Sequence, residues 1–305
     1  MKNFWEKQKK PILALAPMAG YTDSAWRQIC KKFGADVLYS EMVSVDAIVF
    51  KNAKTLKMLG FGKKEMPIVF QLFGSDPKKF GEAVKMIPKN AAGVDINFGC
   101  PAQKVTKNGS GSALMNEVDK SYAIIKAVCE NTPLPVSIKI RTKVKDVDAI
   151  KFIKKVKDLP WTTVMIHGRT FNQGFGGEID FEIIKKVKEL VPNKIVLANG
   201  GVHSWEDAKN ILDKTGADGI GIARGAWGRP WIFKEIKKQK TINLNFKTRK
   251  KIILRHAKLF LKYNYTLEPM RKHLVHYTKG LKNASALRQK LIKVNDLKGL
   301  KKILG

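Results

Sequence analysis

Between residues 12 and 240 the chain repeats one alternation: a short apolar run rich in β-branched residues, a loop, then apolar residues at helical spacing. The apolar runs occupy 12–18, 36–43, 67–74, 93–99, 136–142, 163–169, 194–201 and 218–225, and each predicts a strand. The segments DPKKFGEAVKMI, DKSYAIIKAVCE, VDAIKFIKKVKDL, DFEIIKKVKELV and SWEDAKNILDKTG predict amphipathic helices between them. Asp76, Asp119, Asp180 and Ser204 are expected to cap helix N-termini, and Gly216 to follow the last helix. Eight strands alternating with helices, at a spacing of about 30 residues, predict a (β/α)8 TIM barrel. An open doubly wound sheet is the rival fold, but no G-x-G-x-x-G opens a helix in this chain.

After residue 245 the period becomes helical throughout. RKKIILRHAKLFLKYN and MRKHLVHYTKGL read as amphipathic helices, followed by ASALRQKLIKVNDLKGLKKIL. The expected division is therefore a barrel over 1–240 and a small all-helical domain over 245–305. His256, His273 and His276 are expected to pack or to lie on the surface of that domain.

Composition narrows the class. Hydrophobic residues make up 44% of the 305 residues, enough to bury a large core and to exclude global disorder. No apolar run reaches the roughly 18 residues of a membrane span, and no signal-peptide core follows the basic opening MKNFWEKQKK, so the cytoplasm is expected. The charge balance is lopsided, with 58 Lys and Arg against 26 Asp and Glu, a net of +32. From Asn245 to Gly305 there are 17 basic and 2 acidic residues. Such a surface suits a polyanionic partner, RNA or an acidic membrane surface alike.

Candidate chemistry gathers at the strand ends, where barrels place it. Met18, Gln71, Asn97 with Cys100, Lys139 with Arg141, His167 with Arg169, Asn199 with Gly200 and Gly201, and Arg224 with Gly225 all end apolar runs. Gly200, Gly201 and Arg224 suit a phosphate held by backbone N–H groups and a guanidinium. Lys139 fits a Schiff-base nucleophile, a phosphate or carbonyl ligand, or a cation beside a flavin; His167 ends the next run. Among the three cysteines, Cys30 and Cys129 lie in helical stretches and are expected in the core. Cys100, between Gly99 and Pro101, opens a loop containing NGSGS (108–112), which suggests a mobile lid or, equally, an inert flexible loop. As a nucleophile or general acid Cys100 stands alone, and without a second cysteine or a His-rich tract no metal is expected.

VDINFGCPAQKVTKNGSGS, taken with LAPMAGYTD, IKIR, HGRT, NGGV, ARGAWGRPW and RKHLVHYTKGL, resembles the tRNA-dihydrouridine synthases. The resemblance runs from Leu15 to Arg288. It implies an FMN-binding barrel with NADPH as reductant, tRNA as partner and a helical tRNA-binding domain, in a monomer. It places Pro17, Met18, Ala19, Gln71, Lys139 and His167 at the flavin, and Asn199, Gly200, Gly201, Ala223, Arg224 and Gly225 at its phosphate. It implies Cys100 as proton donor to the uracil ring, and Asn97, Lys104, Arg141, Arg169, Arg271 and Lys272 as substrate contacts. Two departures stand out: Thr142-Lys143-Val144 where many relatives carry glycine, and Gly201-Val202 where Asp is common. Competing readings are a flavin barrel acting on a free pyrimidine, an RNA-binding barrel without catalysis, and a Schiff-base lyase using Lys139.

Overall fold

The computed structural model describes residues 3–305. Eight parallel strands close on themselves: β1 (Ile12–Leu15), β2 (Val37–Tyr39), β3 (Ile68–Phe73), β4 (Gly93–Asn97), β5 (Val136–Arg141), β6 (Thr163–His167), β7 (Ile195–Asn199) and β8 (Gly219–Ile222). Each pairs with its sequence neighbours, and β1 meets β8 with Ile12 opposite Gly219, which completes the (β/α)8 barrel. All eight apolar runs thus became strands, each shorter than its run, because the polar run ends turn out into the loops that build the site.

The strands look continuously apolar because both faces are buried. Outward residues such as Leu13, Phe70, Ile96, Ile138 and Val164 pack beneath the helices in one large core. Inward residues form a second core of Ile12, Ala14, Val37, Tyr39, Val69, Met165, Ile195 and Leu197. Trp5 seals the end where the strands begin; it is fully buried in that inner core, with its ring 6.2 Å from that of Tyr39. Strand β8 reads GIGI because Met165 fills the space beside it: a Cβ on Gly221 would lie 2.6 Å from Met165 Sδ.

The helices start where expected in three of four cases. Asp76, Asp180 and Ser204 cap Pro77–Val84, Phe181–Leu190 and Trp205–Thr215, and Gly216 ends the last of these. Asp119 is the correction. Its helix, Val118–Asn131, begins one residue earlier, so Asp119 sits in the first turn and pairs with Lys155 at 2.6 Å rather than capping. There its charge still favours the positive helix end. At Thr142-Lys143-Val144 the chain forms a hairpin, Lys143–Val144 against Val147–Asp148.

The C-terminal helices, Phe246–Phe260, Arg271–His276, Ala284–Leu291 and Leu297–Leu304, share the barrel's outer core instead of standing apart. Trp26, on the helix Ser24–Lys32, lies 5.3 Å from His256, 5.0 Å from His273 and 6.3 Å from Tyr277, ring to ring. His256 and His273 are fully buried in this seam, as packing residues, and His276 is half-buried against Trp227 at 4.8 Å. Burial and the neighbouring His273 hold the His256 imidazole down at about 3. Cys30 is buried as expected, whereas Cys129 is only half-buried.

Candidate active site

The parallel register sets the rim. Gln71 lies opposite Asp95, Asn97 opposite Lys139, Arg141 opposite His167, and His167 in turn opposite Asn199. Partners at the same level of a barrel turn the same way, so these side chains converge at the strands' C-terminal ends. All but Asp95 line a cavity of about 470 Å³. Pro17, Met18, Ala19, Gln71, Asn97, Cys100, Lys139, Arg141, His167, Arg169, Asn199, Gly200, Gly201, Ala223, Arg224 and Gly225 all contribute to its wall.

One wall is a closed hydrogen-bond network. Asn97 Oδ1 accepts from the backbone N–H groups of Gly99 (3.0 Å) and Cys100 (2.9 Å), which fixes the turn that carries the thiol. Asn97 Nδ2 donates to Gln71 Oε1 at 3.0 Å, and Gln71 Nε2 donates to Asp95 at 2.7 Å. Arg141 Nε donates to Gly99 O at 2.8 Å, and its Nη1 to the carbonyls of Thr170 and Gly174. This guanidinium therefore clamps the Cys100 turn to the 170–177 loop. The NGSGS segment is not a lid. Ser110 and Ser112 are buried, Ser112 N donates to Cys100 O at 3.1 Å, and a Cβ on Gly111 would lie 2.9 Å from that same oxygen. The glycine is there so that the segment can pack beneath the cysteine.

The opposite wall is cationic and has free donors. Arg169 is 9% exposed; its Nε donates to Gly177 O at 2.9 Å, but its buried Nη1 has no partner among the described residues. Burial and the neighbouring Arg224 lower its pKa. Gly200 and Gly201 have φ of +108° and +71°, and a Cβ on Gly200 would come within 2.8 Å of His167 Cδ2. A Cβ on Gly225 would meet Val202 O at 1.9 Å, so the loops after β7 and β8 touch backbone to backbone. Arg224 donates to Phe175 O at 2.7 Å, with its guanidinium carbon 4.9 Å from that ring's centre. Asn199 Nδ2 holds the two strands together at Gly221 O, 2.7 Å away.

Between the walls sit Lys139 and His167. Burial, then Arg141, draws the Lys139 ammonium down to about 8, against the opposing pull of Asp95 and Cys100. Burial, then Lys139, Arg141, Arg169 and Arg224, depresses His167 to about 2, so its imidazole is neutral and can both donate and accept. The cavity as a whole favours an anion with hydrogen-bond acceptors.

Three expected contacts lie outside the cavity wall. Lys104 is exposed on the short helix Gln103–Thr106 beyond the Cys100 turn. Arg271 spends its donors within the helical region, on Val294 O at 2.9 Å and on Asn295. Lys272 reaches back to the rim, with Nζ 5.3 Å over the Tyr21 ring, which itself lines the cavity. Residues absent from the strand-end reading also belong here. Asp95 could have been found, since it stands two positions before Asn97 on the same strand and so on the same face. Phe175, 56% exposed at the cavity edge, carries no periodic signal and needed the folded loop to reveal it.

A family model described as dihydrouridine synthase matches residues 14–304. A probable tRNA-dihydrouridine synthase of Aquifex aeolicus is 31% identical, over 96% of this chain and 95% of its own. One of Helicobacter pylori is 35% identical over 96% and 91%, and tRNA-dihydrouridine synthase B of Vibrio vulnificus is 37% identical over 92% and 91%. Among solved structures, histamine dehydrogenase from Rhizobium sp. 4-9 aligns with a TM-score of 0.57 at 14% identity, over 81% of this chain. A 2-naphthoyl-CoA reductase aligns with a TM-score of 0.58 at 10% identity, over 75% of this chain. The chain spans about half the length of these two structures, and the likeness is one of fold.

Proposed function

The chain belongs to the dihydrouridine synthase family, and on that premise we propose that it reduces the C5=C6 bond of uridines in tRNA, with FMN as cofactor and NADPH as reductant. The observation that carries this reading is the division of one cavity into a thiol-bearing wall and a cationic, glycine-rich wall. The second wall fits a flavin phosphate. Arg169, expected as a substrate contact, is assigned here to the phosphate: its Nη1 without a partner among the described residues, the left-handed Gly200 and Gly201, and the Gly225–Val202 contact leave donors and room where a side chain would block approach. Asn199, Ala223 and Arg224 complete that cradle, while Pro17, Met18, Ala19, Gln71, Lys139 and His167 would face the ring system.

Bound FMN would supply hydride chemistry, renewed by NADPH. The protein's own part is to hold the base and to move a proton. The Cys100 thiol, fixed by Asn97 and clamped through Arg141, would protonate C5 of uracil as charge builds there. Asn97 and the protonated Lys139 would favour the carbonyl edge of the base and its developing negative charge. A uridine must leave its stack to enter so deep a cavity. The 17 basic residues after Asn245 would grip the RNA backbone, and Lys272 brings one such charge to the rim.

The test is an absorbance spectrum of the purified protein, then anaerobic NADPH, then unmodified tRNA. Flavin bands should bleach with NADPH and return with tRNA. A protein without flavin, even after reconstitution with FMN, would remove the reductase reading.

A further inference from the structure

The hydrogen-bond network behind Cys100 has a direction, set at one end by a buried carboxylate and at the other by two backbone N–H groups. Asp95 and Asn97 are two positions apart on β4, so both side chains enter the barrel. The Asp95 carboxylate is fully buried and accepts from Ser137 Oγ at 2.6 Å and from Gln71 Nε2 at 2.7 Å. A carboxylate accepts only, so Gln71 must turn its nitrogen toward Asp95 and its oxygen away. That oxygen accepts from Asn97 Nδ2 at 3.0 Å, which leaves Asn97 Oδ1 facing the N–H groups of Gly99 and Cys100. Two amides that would fit sterically either way round are thereby held one way. Reversing Asn97 would turn its NH2 group on the two backbone donors of the Cys100 turn, and reversing Gln71 would set its NH2 against that of Asn97 and its oxygen against the carboxylate.

The two buried donors at this position call for an acceptor, which a neutral amide oxygen could also supply. Both hydrogen-bond partners of Asp95 are neutral, so its carboxylate is desolvated without a paired cation. Burial raises the carboxyl to about 6, with Lys139 opposing the shift, so it remains mainly ionised at neutral pH.

We propose that Asp95 is the positioning residue for the thiol: its negative charge, relayed as amide orientation through Gln71 and Asn97, holds the Cys100 turn in its working position. The inference deepens the functional reading above and rests on it for the thiol's role, but not for the geometry of the turn.

Asp95→Asn is the informative variant, because it keeps the shape while replacing the acceptor-only end of the network by a group that can also donate. In the full-length protein it should keep wild-type flavin content and melt no lower than wild type, since a neutral amide escapes the burial cost of the carboxylate. Iodoacetamide should alkylate Cys100, read by peptide mass, about tenfold faster, the weight of roughly one backbone hydrogen bond. Reoxidation of the reduced protein by tRNA should slow by about the same factor with its KM for tRNA unchanged. An equal or slower alkylation rate would overturn the proposal. So would melting and flavin content that fall together, the mark of a packing role. If Asp95→Asn does not fold, Ser137→Ala decides, since it removes one bond to the carboxylate without touching the cavity. A smaller increase in Cys100 reactivity supports the relay, and an unchanged rate sinks it. Wild-type protein lacking flavin or inert toward tRNA would fail the functional reading, while the alkylation comparison would still judge Asp95.

Discussion

The two walls of the cavity are built on opposite principles. On the β3–β5 side every polar group that fixes the Cys100 turn finds its partner inside the protein, from Ser137 through Asp95, Gln71 and Asn97 to the backbone of Gly99 and Cys100. On the β6–β8 side a buried guanidinium nitrogen of Arg169 has none among the described residues, and the glycines expose backbone rather than cover it. A satisfied network is rigid and suits a group that must deliver a proton at one place. Unsatisfied donors in a positive field carry a desolvation cost that a bound anion relieves, which suits a retained phosphate.

The sharpest way to separate the walls is to remove the thiol. Cys100→Ala should leave flavin occupancy intact and slow the tRNA-dependent reoxidation of reduced protein by roughly 10²–10⁴-fold, the usual weight of a positioned acid. Full activity in anaerobic single turnovers would take the cysteine out of the chemistry and erase the contrast.

The complementary cut is on the cationic wall. Arg169→Ala and Arg224→Ala should each weaken FMN binding by about 10–100-fold, as expected for one charge-assisted hydrogen bond lost to a phosphate. Titration of apoprotein with FMN measures this, and riboflavin, which lacks the phosphate, should be affected far less. Equal losses for both ligands would mean that the arginines hold the fold and not the phosphate.

Acid should act on the buried imidazoles and the buried carboxyl with opposite signs. His167 between the walls, at about 2, and His256 in the seam, at about 3, lie below the ordinary imidazole value, so the unfolded chain binds protons that the folded one refuses. Their contribution to stability is complete above pH ~6.5 and is lost as pH falls toward their folded values. Asp95, raised to about 6, does the reverse: its burial costs stability above pH 6, and the cost fades as the pH falls toward 4. Between pH 7.5 and 5 the depressed imidazoles, His203 and His276 among them, outweigh the raised Asp95 and Glu41 carboxyls, for a net loss of stability. Urea denaturation at both pH values measures it. A midpoint that held steady or rose would show that the imidazoles accept protons without penalty.

The eight strands and the site residues at their ends were legible because a barrel's period is local. Each strand must be apolar on both faces, so a polar residue at its end, such as Gln71, Asn97, Lys139 or His167, stands out against its own neighbours. Asp95 was equally visible by that logic but lies inside its run, where a charge reads as an interruption rather than a site. The NGSGS segment misled because glycine and serine suit a flexible loop and a tightly packed turn alike. Only the 2.9 Å approach of a Gly111 Cβ to Cys100 O tells them apart.

From the sequence alone came the strand count, the order of elements, the concentration of charge after Asn245 and the identity of most cavity residues. Periodicity and residue chemistry act over a few positions, and each of these properties is fixed at that range. The tertiary structure decided which polar groups are partnered and which are left open, how Arg141 ties two loops together, and that the C-terminal helices share a buried seam with Trp26. Those outcomes depend on distances between segments far apart in the chain, which closure of the barrel sets and no local pattern encodes.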